Sequence, residues 1–389
     1  MPDSYRTDCL HFQWDRPCTW HKRDSRECPG CDRYTPVGPM ILIVKLAALG
    51  DVLRTTCLLE PLHRAYQDPF ITWVTLPEAV PLLENNPLLQ EVWSTDSLGY
   101  LRLRSRPFDL VLSPDSHLDS AMLASLPRAR EKRGFIWDQD SNRILIQGEG
   151  DRRLFDLSHK DRLKKANQRT YQELILDVCG LGSNGFGRII FQPQPQELAS
   201  ARRLLRIEQE GNPPRRRLNL AFVTGAGERW EKKAWIPEYY VHLARWFLAQ
   251  EPEAHIFLLG GNSEDHTNSA IMRGVADSAR LSKINTAASL RIFGAVFHFM
   301  DLVVTGDTLG LHLALAAGKR VVCLVGPTSG PELELYGLGR TIVSPIDCAC
   351  CYQTSCTVKP SCMELITPEL VLAEAQRQLN LARGRGASQ

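Results

Sequence analysis

Val304-Thr305-Gly306-Asp307-Thr308-Leu309-Gly310-Leu311-His312, running on to Gly326-Pro327-Thr328-Ser329, decides the fold. An apolar strand over residues 302–304 ends in a turn that carries Asp307 and Thr308. A helix follows with His312 in its first turns, and a second apolar strand covers residues 321–325. Polar groups thus stand at the carboxyl end of the first strand of a β-turn-α-β unit, the edge at which open parallel sheets bind ligands. The opening of the following helix offers free N–H groups and a positive dipole end, which suit a phosphate. A plain helix N-cap by Asp307 or Thr308, with no ligand, fits the same stretch.

A second unit of the same kind favours the ligand reading. Met40-Ile41-Leu42-Ile43-Val44-Lys45-Leu46 reads as a buried strand, followed by Ala48-Leu49-Gly50-Asp51-Val52-Leu53-Arg54-Thr55-Thr56 and a helical pattern over 57–66. Gly50 permits a tight turn with close backbone approach. Asp51 then sits at a strand-to-helix corner. Two α/β halves, each with a carboxylate at such a corner, predict one cleft between two Rossmann-like domains.

From about residue 40 to about 379 the chain resembles the heptosyltransferases of glycosyltransferase family 9, whose fold is GT-B. Four motifs carry the resemblance. They are Leu49-Gly50-Asp51-Val52; Thr224-Gly225-Ala226-Gly227 with Lys233-Ala234-Trp235; Leu258-Leu259-Gly260-Gly261 leading to Glu264; and Gly306-Asp307-Thr308 with His312 and Gly326-Pro327-Thr328. Leu309 stands where many relatives have glycine, and Gly310 follows it. The resemblance implies inverting sugar transfer from a nucleotide-linked donor, ADP-heptose in the leading reading, without a catalytic metal.

Such a transfer needs a base for the acceptor hydroxyl, stabilisation of the departing diphosphate, and a grip on the nucleotide. Asp51 is the candidate base, on its corner position and the family motif. Lys233 is the candidate cation for the leaving group, preferred over its neighbour Lys232 because it lies two residues before Trp235, as in the motif. Thr224, Gly225 and Ala226 form a loop after strand 218–223 that can cradle phosphate with hydroxyl and amides. Thr308, Leu309 and Gly310 open a helix that adds amides. Glu264 either accepts hydrogen bonds from ribose hydroxyls or serves as a helix-start carboxylate. The resemblance assigns donor-sugar hydroxyls to Asp307. His312 either touches phosphate or packs as a satisfied core histidine.

The sequence holds 389 residues, 43% hydrophobic and 23% charged, which is ordinary for a soluble globular protein with room for two domains. No apolar run reaches the roughly 18 residues that span a membrane. The polar, Cys-rich start is not a secretory signal, so a cytoplasmic location is expected. A net charge of +2 argues against a nucleic-acid partner. Between 152 and 169, Arg152, Arg153, Lys160, Arg162, Lys164, Lys165 and Arg169 outnumber the acids. That run is either a solvated loop or an attractor for an anionic acceptor or a membrane surface, so peripheral membrane association stays open.

The organisation read from the sequence is a Cys-rich module over 1–37, a Rossmann-like acceptor domain over 38–209, and a nucleotide-sugar domain over 218–389. In the first domain, 71–75, 110–113 and 131–136 read as strands, and a helix is expected over 196–209. Glu210-Gly211-Asn212-Pro213-Pro214 marks the linker, because Gly and paired Pro break both helix and strand. In the second domain, 218–223, 256–259, 302–304 and 321–325 read as strands and 368–379 as a closing amphipathic helix. The polar tail after Ala382 is expected to be disordered.

Twelve cysteines complete the reading. Cys57, Cys179 and Cys323 lie in apolar runs and read as core. The other nine gather at the two ends. Cys9, Cys18, Cys28 and Cys31 form one set; Cys348, Cys351, Cys356 and Cys362 form another, with Cys350 left over. Each set contains one Cys-x-x-Cys and offers four sulfurs, which suits structural zinc or iron. His11 and His21 are alternative ligands, and disulfides are the competing reading, disfavoured in a reducing compartment. The C-terminal set, 348–362, resembles a Cys finger that binds iron in some protein-modifying relatives. A segment of 37 residues with few apolar groups cannot fold on core burial alone.

The leading function is therefore heptose transfer from a nucleotide-heptose to a hydroxyl of a saccharide, lipid-linked or protein acceptor. Use of another nucleotide sugar is the nearest alternative. A non-catalytic metal-binding scaffold of the same fold is the alternative of another class, opposed by the joint presence of Asp51, Lys233 and Asp307.

Overall fold

The computed structural model describes residues 5–207, 217–226, 233–275, 279–287 and 289–385. The linker signal at 210–214, Gly227 and Lys232 lie outside the described residues.

The first sheet is built from β1 (Met40–Val44), β2 (Phe70–Thr75), β3 (Glu91–Ser94), β4 (Phe108–Ser113) and β5 (Ala129–Gly134). Its order is β3-β2-β1-β4-β5, and every pairing is parallel. A short antiparallel hairpin follows, β6 (Ile136–Asp138) and β7 (Arg143–Leu145). The second sheet comprises β8 (Leu218–Val223), β9 (Ala254–Gly260), β10 (Leu281–Asn285), β11 (Leu302–Gly306), β12 (Arg320–Val325) and β13 (Gly339–Val343). Its order is β10-β9-β8-β11-β12-β13, again parallel throughout. Parallel strands buried on both faces are expected to be continuously apolar. Ile41, Leu42, Ile43 and Val44 of β1 and Val303 and Val304 of β11 are accordingly 0% exposed.

In each sheet the chain first runs outward one way and then returns to build the other side. The reversal falls between β1 and β4 in the first sheet, and between β8 and β11 in the second. Crevices open at such switch points, beyond the carboxyl ends of the strands. The segments after β1, β8 and β11 carry Asp51, Gly225 and Asp307, so the fold brings the sequence motifs to these edges.

Several boundaries differ from the sequence reading. The strand expected over 131–136 is β5 followed by a separate β6. Gly134 takes φ +88°, and a Cβ there would lie 2.1 Å from the Ser113 carbonyl oxygen, so the chain turns off the sheet at this point. The closing helix runs Pro368–Arg385, past Ala382 into the tail expected to be disordered, and Arg383 is tied to Glu251 at 2.7 Å.

The helix expected over 196–209 spans Pro195–Leu204, with Pro195 in its first turn and the Glu197 carboxylate accepting from the Gln194 N–H at 2.6 Å. It packs on helix Leu290–Val296 of the second sheet's layer. Their apolar core also takes in Leu53 and Leu82 from the first unit, so one hydrophobic cluster spans both halves. Arg291 fastens the same junction. Its guanidinium donates to both Glu197 carboxylate oxygens and to the carbonyls of Pro81, Glu84 and Gln192.

Candidate active site

A cleft of about 660 Å³ opens between the two sheets' carboxyl edges. Helix Leu49–Thr55 forms its wall on the first unit, with Asp51 in the first turn. Gly50 lies against the His312 ring from the opposite unit: a Cβ there would sit 3.1 Å from Cδ2. A side chain at this position would press on the His312 ring, which would have to give by a few tenths of an ångström.

Asp51 Oδ1 meets Arg54 Nη2 at 2.8 Å, one turn along the helix, and the Asp51 side chain keeps 37% of its surface exposed. Arg54 lies flat over the Tyr171 ring at 3.6 Å, and the Tyr171 hydroxyl shares a 2.8 Å hydrogen bond with Thr55. Burial works against ionisation of Asp51, but the charges of Arg54 and Lys45 outweigh it and hold the carboxyl below its ordinary value. Lys45 is itself buried and paired with Asp115 at 3.0 Å. The first unit therefore presents an ionised, oriented, partly open carboxylate.

The second unit answers with Asp307 and Lys233. The Lys233 ammonium donates to Asp307 Oδ2 at 3.2 Å and to the Asp307 carbonyl at 3.3 Å. Burial opposes ionisation of Asp307 too, and Lys233 and Arg54 reverse it, so this carboxyl is also lowered. Thr308 occupies the N-cap position of helix Leu309–Ala316, yet its side chain makes no cap bond. Its hydroxyl faces Thr305 Oγ1 at 3.2 Å. The plain capping role is thus not taken up by Thr308. His312, 5% exposed, is pushed down to about 4 by burial and by Arg54. It is neutral at pH 7 and its Nδ1 is buried without a hydrogen-bond partner.

Asp51, Lys233, Gly225, Ala226, Glu264, Asp307, Thr308, Leu309, Gly310 and His312 all line this cleft. Thr224 does not: it stands behind the lining, with its hydroxyl donating to Asn268 at 2.6 Å. The expected hydroxyl contact to phosphate is replaced by an internal bond, because the β8 pleat turns this side chain into the core. Glu264 folds back on its own turn, accepting from the Gly261 N–H at 2.8 Å and the Ser263 hydroxyl at 2.9 Å. It also closes on Gly225, where a Cβ would sit 2.9 Å from its carboxyl carbon.

Arg54, Glu332 and Tyr352 also line the cleft and were missed in the sequence. Arg54 had a signal, its i,i+3 spacing from Asp51. Glu332 and Tyr352 had none, since only the fold brings them there. Burial raises the Glu332 carboxyl against the pull of Arg54 and Lys164. Lys164, from the basic run, stands 4.2 Å over the Tyr352 ring. The run thus reaches the cleft mouth at Lys164, while Arg152, Arg162 and Lys165 are exposed.

Tyr352 belongs to the C-terminal Cys loop, which is docked on the Gly326-Pro327-Thr328-Ser329 edge. Cys350 N–H donates to the Gly326 carbonyl at 3.1 Å and Tyr352 N–H to the Pro327 carbonyl at 2.8 Å. The Ser329 N–H donates to the Tyr352 hydroxyl at 3.2 Å. Gly326 makes room for Cys362, whose sulfur would lie 2.5 Å from a Cβ there. Burial raises the Cys362 thiol, and Cys351, Cys356 and Cys348 add to the rise. All twelve cysteines are free thiols, and Cys57, Cys179 and Cys323 are buried. Among the described residues no three His, Cys, Asp or Glu side chains stand close enough together to hold a metal ion.

Comparison with known proteins follows the same outline. The profile of glycosyltransferase family 9 (heptosyltransferase) matches residues 100–361. Lipopolysaccharide heptosyltransferase 1 of Pseudomonas aeruginosa is 23% identical over 342 residues, 82% of this chain and 88% of that protein. Among solved structures, a glycosyl transferase family 9 protein from Veillonella parvula aligns with TM-score 0.68 at 16% identity, covering 88% of this chain and 97% of that one. The ADP-heptose lipopolysaccharide heptosyltransferase II of E. coli aligns with TM-score 0.63 at 17% identity, covering 89% of this chain and 99% of that one. The two facing Rossmann-like units are the GT-B arrangement.

Proposed function

Because the chain belongs to glycosyltransferase family 9, and is a glycosyltransferase, we propose that it transfers a heptose from ADP-heptose to an acceptor hydroxyl with inversion. The observation that carries this reading is the meeting of Asp51 from one unit with Asp307 and Lys233 from the other across a single cleft. The donor identity rests on the relatives, one of which is an ADP-heptose lipopolysaccharide heptosyltransferase. The acceptor is a hydroxyl of a saccharide, lipid-linked or protein substrate, and a lipopolysaccharide core sugar is the form these relatives suggest.

In this reading the acceptor hydroxyl approaches the exposed edge of the Asp51 carboxylate and gives up its proton there. Its oxygen attacks the anomeric carbon from the face opposite the diphosphate. The bond from anomeric carbon to phosphate oxygen breaks, and the diphosphate leaves with the electron pair. Lys233 and the amides at the opening of helix Leu309–Ala316 stabilise that charge. Neutral His312 can give one N–H to a phosphate oxygen without a proton-transfer step. Asp307, held by Lys233, accepts hydrogen bonds from the donor sugar, and Glu264 with Gly225 and Ala226 borders the nucleoside. No catalytic metal is invoked.

We assign the C-terminal set Cys348, Cys351, Cys356 and Cys362 to a structural zinc or iron ion. Their spacing, with one Cys-x-x-Cys, and their soft thiol donors support that reading. An ion bound there would stiffen the loop that carries Tyr352 to the cleft. The exposed basic residues of 152–169 suit an anionic acceptor or peripheral contact with an anionic membrane. No described helix is long and apolar enough to cross a membrane.

The test is a direct assay. Purified protein is incubated with ADP-heptose and, separately, with UDP- and GDP-linked hexoses, over a panel of core-saccharide and peptide acceptors. Release of ADP coupled to a mass gain of one heptose on an acceptor is expected. Turnover of only a different nucleotide sugar would overturn the donor assignment.

A further inference from the structure

We infer that Cys9, Cys18, Cys28 and Cys31 form a metal-thiolate site of their own, a fold-completing centre separate from the catalytic cleft. The inference stands independently of the heptosyltransferase reading. Its starting point is the absence of a core. Among residues 5–37 not one is buried, and Tyr5 and Trp14 are 62% and 74% exposed. Among the described residues, the hydrogen bonds and ion pairs of residues 5–36 stay within the module. These bonds and a few surface ring contacts, such as Phe12 on Trp14 and Arg6 over Tyr34, hold it without a buried core.

What the backbone does organise is the cysteines. Residues 8–10 run antiparallel to 35–37, with Leu10 N–H bonded to the Thr35 carbonyl at 2.8 Å and Val37 N–H to the Asp8 carbonyl at 2.8 Å. This pairing sets Cys9 opposite Pro36, five residues past Cys31. The Cys28–Cys31 turn is closed by Cys31 N–H on the Cys28 carbonyl at 3.3 Å, and a second by Tyr34 N–H on the Cys31 carbonyl at 3.2 Å. Phe12 N–H on the Cys9 carbonyl, at 2.9 Å, makes a third. Cys18 sits at the start of helix Thr19–Asp24. Three separate pieces of chain thus meet around one open cavity of about 640 Å³, which all four half-buried cysteines line.

A soft divalent cation, zinc or ferrous iron, is the ligand class that four thiolates select. No three of these side chains stand within binding distance of one ion in the structure. Capture therefore draws the sulfurs inward from the cavity rim, coupling binding to compaction, as in small metallo-modules. Four thiols lose their protons to solvent as four sulfur–metal bonds form, with no change of oxidation state.

The test uses full-length protein purified under reductant, as wild type, Cys28→Ser, Cys351→Ser and the double variant. Metal content by elemental analysis should fall by about one equivalent for Cys28→Ser, in the wild-type and in the Cys351→Ser background alike. Cobalt-loaded Cys351→Ser should show strong thiolate-to-cobalt charge-transfer absorption that the double variant loses. ADP titration should be unchanged by Cys28→Ser. Wild type supplies a control that needs no variant to fold: Cys9, Cys18, Cys28 and Cys31 should resist iodoacetamide until a chelator strips the metal, and then all label. Equal metal content in wild type and Cys28→Ser, labelling of all four before chelation, or disulfides among them would each overturn the site.

Discussion

At Asp51 two opposed forces meet, burial that favours the neutral acid and the Arg54 and Lys45 charges that favour the carboxylate; the charges win. Asp51→Asn keeps shape and removes basicity, so transfer should fall roughly 10²–10⁴-fold while ADP still binds. Full turnover in that variant would remove Asp51 as the base. Arg54 makes a sharper case. It touches Asp51 and Tyr171, so it positions the base. In Arg54→Ala the strongest counter-charge is gone and the Asp51 carboxyl rises toward its ordinary value. The sign follows: a base with a raised pKa is protonated over a wider acid range, so the acid limb of the pH–rate profile moves to higher pH. Each unit of movement is about a tenfold loss on that limb. An acid limb at the wild-type position would show that Arg54 does not tune Asp51. In the proposed reading Lys233 serves the leaving group. Lys233→Ala should weaken binding of ADP much more than of adenosine, and equal loss of both in calorimetric titration would separate Lys233 from the phosphates.

Among elements, the junction formed by helices Pro195–Leu204 and Leu290–Val296 depends on one buried guanidinium. Arg291 is 7% exposed and donates to five oxygens from three stretches of chain. Truncating one partner of such a pair strands the other, at a typical cost of about 3–5 kcal/mol. Arg291→Met should therefore destabilise strongly in urea unfolding, and Arg291→Met with Glu197→Leu less than Arg291→Met alone. A double variant less stable than that single would mean that the carbonyl bonds, not the carboxylate, dominate. The sequence hid this clamp, since nothing in Arg291 or Glu197 announces a partner 94 residues away. It was open about β1, β8, β11 and β12, because strands covered on both faces must be apolar runs. It blurred the end of β5, because the run read as one strand over 131–136 continues past Gly134 into β6, and only the backbone turn there separates the two. At the site, Asp51, Lys233 and Asp307 were legible from corner positions and family motifs. Thr224 was misplaced, because pleat direction decides whether a strand-end hydroxyl faces the cleft or the core. Tyr352 reaches the cleft only through the docked Cys loop, a proximity that spacing does not encode.

For the whole molecule, the division of labour between the two units sets what each ligand can report. The nucleotide-side groups, Gly225, Glu264, Asp307 and the opening of helix Leu309–Ala316, belong to the second unit; Asp51 and Arg54 belong to the first. ADP carries the nucleoside and the leaving phosphates but not the transferred heptose, so its contacts in the proposed reading end on the second unit. The intact nucleotide sugar places its anomeric carbon toward Asp51 and touches both. Hydrogen exchange distinguishes the two cases, because local opening is suppressed where a ligand adds contacts. ADP should slow exchange in residues 224–226 and 307–312 and leave residues 49–55 near their free rates. A non-transferable analogue of the nucleotide sugar should slow all three segments. The Gly50–His312 contact already joins the units in the absence of ligand, so the comparison must be made against free protein, with Asp51→Asn as a second background. Protection of residues 49–55 by ADP as strong as by the sugar-bearing analogue would mean that the first unit reads the nucleotide itself, and the assignment of donor and acceptor sides would have to be redrawn.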